Sequence, residues 1–153
     1  IEQGFDPKMV AYSFAGDAFG AATMALISGW LADRMNIVHL GIASFLGFSG
    51  SFVMMLTATT NFWLFAAGIT FGLSVGASMV LHSYIFAHFY GREFLGSLRG
   101  IVTPILLTSA GIGAPLIGYI RDIDGDYSKS WGILLGICVL NTLMMFTVKQ
   151  PHQ

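Results

Sequence analysis

Apolar positions in this chain come in long blocks rather than in alternation, and short polar gaps separate the blocks. Crossing a hydrocarbon core of about 30 Å takes roughly 20 mainly apolar residues at helical rise. Five stretches meet that ruler, at residues 9–31, 37–56, 62–86, 101–120 and 131–148. Lipid offers backbone groups no partners, and the blocks lack the two-residue period of barrel strands, so each is expected to be an α-helix. The pattern predicts an all-α, polytopic helix bundle integral to a membrane and crossing it several times. Trp30, Trp63 and Trp131 fall at block ends, where an amphipathic ring prefers the headgroup level.

The gaps read "DRMN", "TATTN", "GREFLGSLRG" and "RDIDGDYSKS". They are short, so successive helices run antiparallel and no soluble domain lies between them. Alternating sides collect Arg34, Arg92, Arg99 and Lys149 at one face of the membrane, against Lys8, Arg121 and Lys129 at the other. The excess of Lys and Arg places the first group, and the C-terminus, in the cytoplasm. Drawn this way, no span holds an interior Lys or Arg.

Composition agrees with the blocks. The 153 residues are 55% hydrophobic and 10% charged, where a soluble domain carries about 25% charged residues. A net charge of −1 provides no basic footprint, so nucleic-acid partners are not expected; lipid is. Cys138 is the only cysteine, which rules out a disulfide framework or thiolate cluster within one chain. No His or Cys pair has metal-site spacing, and no cofactor is expected. The start, "IEQGFDPK", has neither signal-peptide character nor an initiator methionine, and reads as the edge of a fragment.

Much of the glycine is spaced in fours: Gly16 and Gly20, then Gly68, Gly72 and Gly76, then Gly132 and Gly136. Such stripes let membrane helices approach closely, and fit either static packing or a sliding surface. Pro104 and Pro115 lie in the fourth span, and a kink is expected at Pro115, after "GIGA".

Asp17 is the acidic residue well inside a span, about 5 Å from the midpoint of the first helix. A charge there costs about 2.5 to 3.5 kcal/mol and belongs in the bundle interior or a water-filled cavity. It is a candidate for carrying a coupling proton or touching solute. Its alternatives are a partner outside this chain or a later helix start. Its helical face includes Gly20, Ala21, Met24 and Ser28, which suits an interface or cavity wall. His82, near Ser78 and Ser83, could relay protons or simply hydrogen-bond to a neighbouring helix. His39 and His88, at span ends, read as interface residues. "DIDGD", Asp122 to Asp126, resembles a calcium loop only superficially: the places for Gly and Glu hold Tyr127 and Ile133, so a solvated turn is expected.

The gap "SGWLADRMN" raises a more specific possibility. Physically it needs only a turn, a cap for the next helix from Asp33 or Asn36, and Arg34 as an anchor. Its Gly29, Asp33 and Arg34 also resemble the signature loop of the major facilitator superfamily. That family continues with glycine and basic residues where Asn36, Ile37 and Val38 stand here. Asn36 can tolerate the left-handed turn of the missing glycine. "FYGREFLGSLRGIVTP" is similar to the family's link before its eleventh helix, and "GAPLIGYIRDIDGDYSKSW" to the end of that helix and its outer turn. The resemblance covers nearly the whole chain.

What the resemblance implies is a partial C-terminal half of a twelve-helix transporter, helices eight to twelve, with the first helix of that half missing. The third span lacks the arginine typical of the family's fourth helix, which points to the second half. Implied too are secondary transport of a small solute by alternating access, a partner in the missing N-terminal half, and a latch formed by Asp33 and Arg34. "YGREFLGSLRGI" is also similar to the monocarboxylate and oxalate/formate branch, which implies an organic anion. Those branches hold carboxylates with basic residues inside helices of this half; with none in the spans above, the positive partner would come from the missing half. A non-transporting scaffold or truncated product is the alternative. An intramembrane enzyme needs clustered catalytic groups, whereas Asp17 and His82 are isolated on different helices.

Overall fold

The computed structural model describes residues 7–90, 93, 95–125 and 127–147, apart from the side chains of residues 7, 87–90, 114 and 124. These residues form five α-helices: α1 (Pro7–Ala32), α2 (Ile37–Leu56), α3 (Asn61–Tyr90), α4 (Leu95–Asp124) and α5 (Ser128–Thr147). Each contains a stretch long and apolar enough to cross a membrane. The helices outrun the apolar ruler mainly in α3 and α4, because backbone hydrogen bonding continues past the point where side chains stop being greasy. The fourth begins at Leu95 rather than residue 101, so Arg99 lies in the second turn of a helix rather than in a connecting gap. Residue 148, drawn as the end of the fifth span, is outside the described residues.

Two caps set the turns. Asn36, extended at φ −62°, accepts a 2.9 Å hydrogen bond from the Val38 N–H and so caps α2. Asn36 does not use the left-handed conformation it could tolerate; the described residue with positive φ is Gly125, at 80°, just past α4. Its N–H donates to the Arg121 carbonyl at 2.8 Å and closes the helix.

α3 is the centre of the assembly, with α1 on one flank and α2 on another, and α2 packs in turn on α5. α1 and α3 run parallel in a constant register: Ser13 faces Gly68, Asp17 faces Gly72, and Ala21 faces Gly76. Backbone meets backbone along this seam. A Cβ on Gly68 would lie 2.8 Å from the Ser13 carbonyl oxygen and one on Gly20 would lie 2.9 Å from that of Ile69. At Gly72 and Gly76 it would strike the carbonyls of Asp17 and Ala21. The fours in these two helices are therefore a packing surface. Those in α5 are not: nothing among the described residues comes within 4 Å of a Cβ built on Gly132 or Gly136.

The second seam, α2 on α3, is antiparallel and stitched by hydroxyls. Ser51 Oγ donates to the Ala67 carbonyl at 2.9 Å, and Ser78 Oγ to Ser44 Oγ at 3.3 Å. Phe52 of α2 reaches the Trp131 ring of α5, with centroids 5.8 Å apart. The result is a molecule turned inside out relative to a soluble bundle. Among the described residues the buried polar groups are hydroxyls (Ser13, Ser28, Ser44, Ser51, Ser74, Ser130 and Thr142), while Phe14, Phe19 and Leu26 are 70%, 75% and 80% exposed. Lipid removes the hydrophobic drive between helices, so small residues and hydroxyls do the joining and large apolar side chains face outward.

α4 stands apart from this assembly. No described residue of its apolar window is buried, and it only brushes α3 and α5. Pro104 and Pro115 both lie within it, in an unbroken run of helix. Lacking an N–H, they leave the carbonyls of Gly100 and Gly111 without their helical donors.

Candidate functional site

Asp17 sits on the flank of the closest seam. Its backbone carbonyl presses on Gly72 of α3, while the residue is partly buried and its side chain has no hydrogen-bond or ion-pair partner among the described residues. Its helical face divides as the residue types require: Gly20 and Ser28 are buried, and Met24 lines a cavity of about 200 Å³ shared with Leu40, Ser44, Thr70 and Ser74. This pocket, walled by small and hydroxyl-bearing residues of α1, α2 and α3, lies one to two turns from Asp17 along the bundle.

His82 belongs elsewhere. It is ten residues beyond Gly72, roughly 15 Å further along α3, so the two titratable candidates are not brought together. Its Nδ1 lies 2.9 Å from the Ser78 carbonyl of its own helix. A carbonyl can only accept, so Nδ1 is the donor in this contact. The bond to a neighbouring helix expected as the ordinary role of this histidine is replaced by one to its own backbone. His39 is exposed beside the Asn36 cap, and the side chain of His88 lies outside the described residues.

At the signature-like loop, Gly29 is helical with open space around it, and Asp33 and Arg34 are exposed. The two charges do not pair. Arg34 instead stacks its guanidinium over the Trp30 ring, 4.2 Å from the centroid, and its N–H donates to the Leu31 carbonyl at 3.0 Å. The anchor role read for Arg34 thus has a concrete partner, and Asp33 has none among the described residues. Because α1 and α3 are parallel, this loop and His82 occupy the same end of the bundle.

Arg99 completes that end. It faces α3 from the second turn of α4, and its Nη2 donates to Ser83 Oγ at 3.2 Å. The apolar ruler hides it by stopping at the charge; the spacing of Leu95, Leu98, Val102 and Ile105 continues the helical period straight through it. At the opposite end, Asp122 is paired with Arg121 at 2.9 Å, so the "DIDGD" stretch is partly helix and partly turn; Asp126 lies outside the described residues.

Comparison with known proteins gives these placements a context. Residues 2–153 match the Major Facilitator Superfamily. The chain is 29% identical to mouse monocarboxylate transporter 11 over 140 residues, covering 86% of this chain and 31% of that protein. It is 27% identical to rat monocarboxylate transporter 13 over 153 residues, covering 97% and 35%. The arabinose-proton symporter of Escherichia coli (strain K12) is 26% identical over 128 residues, covering 82% and 26%. The chain therefore spans about a third or less of the curated relatives it matches. No solved structure matches it.

Proposed function

The chain belongs to the major facilitator superfamily and is an integral, multi-pass membrane protein, and from that premise we propose that it is part of a secondary transporter that moves a small solute by alternating access. Its five helices supply helices eight to twelve of the twelve-helix arrangement, and the first half of the same transporter encloses the path from the other side. The Arg34 end faces the cytoplasm. The observation that supports this reading most is the family match along essentially the whole chain, shared with relatives that are named as transporters.

The solute is a small organic anion, as the similarity to two monocarboxylate transporters suggests. Asp17, an acid within a span and free of described partners, carries the coupling proton, and His82 is the second candidate for relaying it. Asp33 and Arg34 gate the cytoplasmic end, with Pro115 loosening α4. Reconstitution of the full-length protein in liposomes tests the whole reading: uptake is measured across carboxylates, sugars and hydrophobic drugs, with and without an imposed proton gradient. Gradient-dependent uptake of a carboxylate is the expected result. The absence of uptake for every class removes the transport reading.

A further inference from the structure

α1 and α2 are consecutive, yet they meet little except near their turn, where Ala32, Ile37 and Leu40 cluster, and α3 lies behind both. The cavity of about 200 Å³ between them has Met24 of α1 on one wall and Ala43 and Gly47 of α2 on the other, with Thr70, Ser74 and Ala77 of α3 as its floor. It opens outward at Ala43, which is exposed. Its hydroxyl donors are already used: Ser44, Thr70 and Ser74 donate to the Gly41, Ala66 and Thr70 carbonyls at 3.1, 2.9 and 2.9 Å. An apolar cavity of about 150 Å³ holds a benzene ring. This one is larger and elongated, since Leu40 to Gly47 covers about 10 Å of helix. A stretch of hydrocarbon chain fits that shape and needs no hydrogen bond from its walls.

A cation stands at the foot of this groove. Met24, Ile27 and Trp30 follow one another at intervals of three, a slanting row of neighbours on α1, and Ile27 and Trp30 are exposed. The row ends under the Arg34 guanidinium, 4.2 Å from the Trp30 ring centroid. Stacking occupies the face of the guanidinium and leaves its N–H edge open, and among the described residues no group accepts a hydrogen bond from that edge, Asp33 included. A tryptophan at the end of a span sits at headgroup level. Arg34 therefore holds free donors at the depth of lipid phosphates, about 9 Å along the helix from Met24, in the planar fork that matches a phosphate. We propose that this flank binds one glycerophospholipid, its phosphodiester on Arg34 and one acyl chain running past Ile27 into the groove between α1 and α2. Charge and shape agree on this occupant: a free phosphate leaves the groove open, and a neutral lipid leaves the guanidinium without an anion. The site goes beyond solute transport and needs only that these helices cross a membrane.

The test titrates the full-length protein, delipidated in maltoside detergent, with dioleoylphosphatidylglycerol and counts bound lipid by native mass spectrometry. Wild type is expected to bind phosphatidylglycerol saturably, and dioleoylglycerol, which keeps the chains and lacks the phosphate, is expected not to displace it. Arg34→Gln weakens the tightest binding step about five- to tenfold, the loss of one charge-assisted contact at an exposed site. Arg34→Lys keeps most of that affinity. Ala43→Phe, which blocks the mouth of the groove and leaves the cation in place, weakens it about fivefold. Monodispersity establishes folding; where Ala43→Phe fails it, the exposed Arg34 variants and the dioleoylglycerol competition carry the test. No saturable binding, or an affinity within twofold of wild type in both Arg34→Gln and Ala43→Phe, overturns the site. A loss in Arg34→Gln alone confines the lipid to its headgroup and overturns the groove. Displacement by dioleoylglycerol at equal concentration leaves the cation without a role, and displacement by inorganic phosphate assigns Arg34 to a free anion; either result overturns the proposal. Lipid binding is measured without solute, so its failure leaves the transport reading to the uptake assay.

Discussion

α1 and α4 are both long glycine-bearing helices, 26 and 30 residues, yet one is locked in the closest seam of the molecule and the other is almost bare. Gly16 and Gly20 of α1 press on α3. Gly96, Gly100, Gly111, Gly113 and Gly118 of α4 have nothing within 4 Å of an added Cβ, although the first two are also four apart. Spacing alone therefore does not make a seam. What α1 finds, and α4 does not, is a complementary stripe on a parallel neighbour: Gly68, Gly72 and Gly76 of α3. Flat surfaces gain dispersion energy only when both partners are flat.

The contrast can be broken most forcefully at Gly72, where Leu would drive its Cβ into the Asp17 carbonyl. Overpacking of this kind costs about 3 kcal/mol or more when the blocking atoms are backbone, so Gly72→Leu in the full-length protein is expected to abolish monodisperse protein in detergent. Next in size is Asp17→Asn, which leaves the seam intact and is expected to cut gradient-driven uptake at least tenfold, with thermal stability unchanged. Unaltered proton-driven uptake would dismiss the coupling role. Asp33→Asn is expected to slow transport several-fold at normal abundance; a matching fall in abundance would mark Asp33 as a folding residue instead. Ser51→Ala removes one hydroxyl stitch to Ala67 and should lower unfolding free energy by about 0.6 kcal/mol, read as a small shift in melting temperature. Smallest of all is Gly136→Ala, on an open face of α5, expected to fall within about 0.5 kcal/mol of wild type.

How much of this was legible in the sequence follows from the same contrast. Five helices could be read because the apolar blocks measure the lipid core, and the α1 and α3 stripes because both partners carry them. Gly132 and Gly136 misled: a stripe announces a capacity for close approach, not a partner. Arg99 was hidden by the same ruler that found the spans, since a charge ends an apolar count but does not end a helix. The Asn36 cap was readable from its residue type, and its φ was not, because Asn caps from extended backbone as readily as it turns. Asp17 stood out as an acid among apolar neighbours. Its backbone contact with Gly72 could come only from three-dimensional register.

The hydroxyl and glycine interior also has a calorimetric consequence. Heat capacity rises on unfolding chiefly because apolar surface becomes hydrated, and here large side chains such as Phe14, Phe19 and Leu26 are already outside while the joints hide mainly small groups. Separating these helices within a micelle should therefore produce only a slight heat-capacity step, so that stability falls almost linearly on warming and lacks the low-temperature decline of a water-soluble domain.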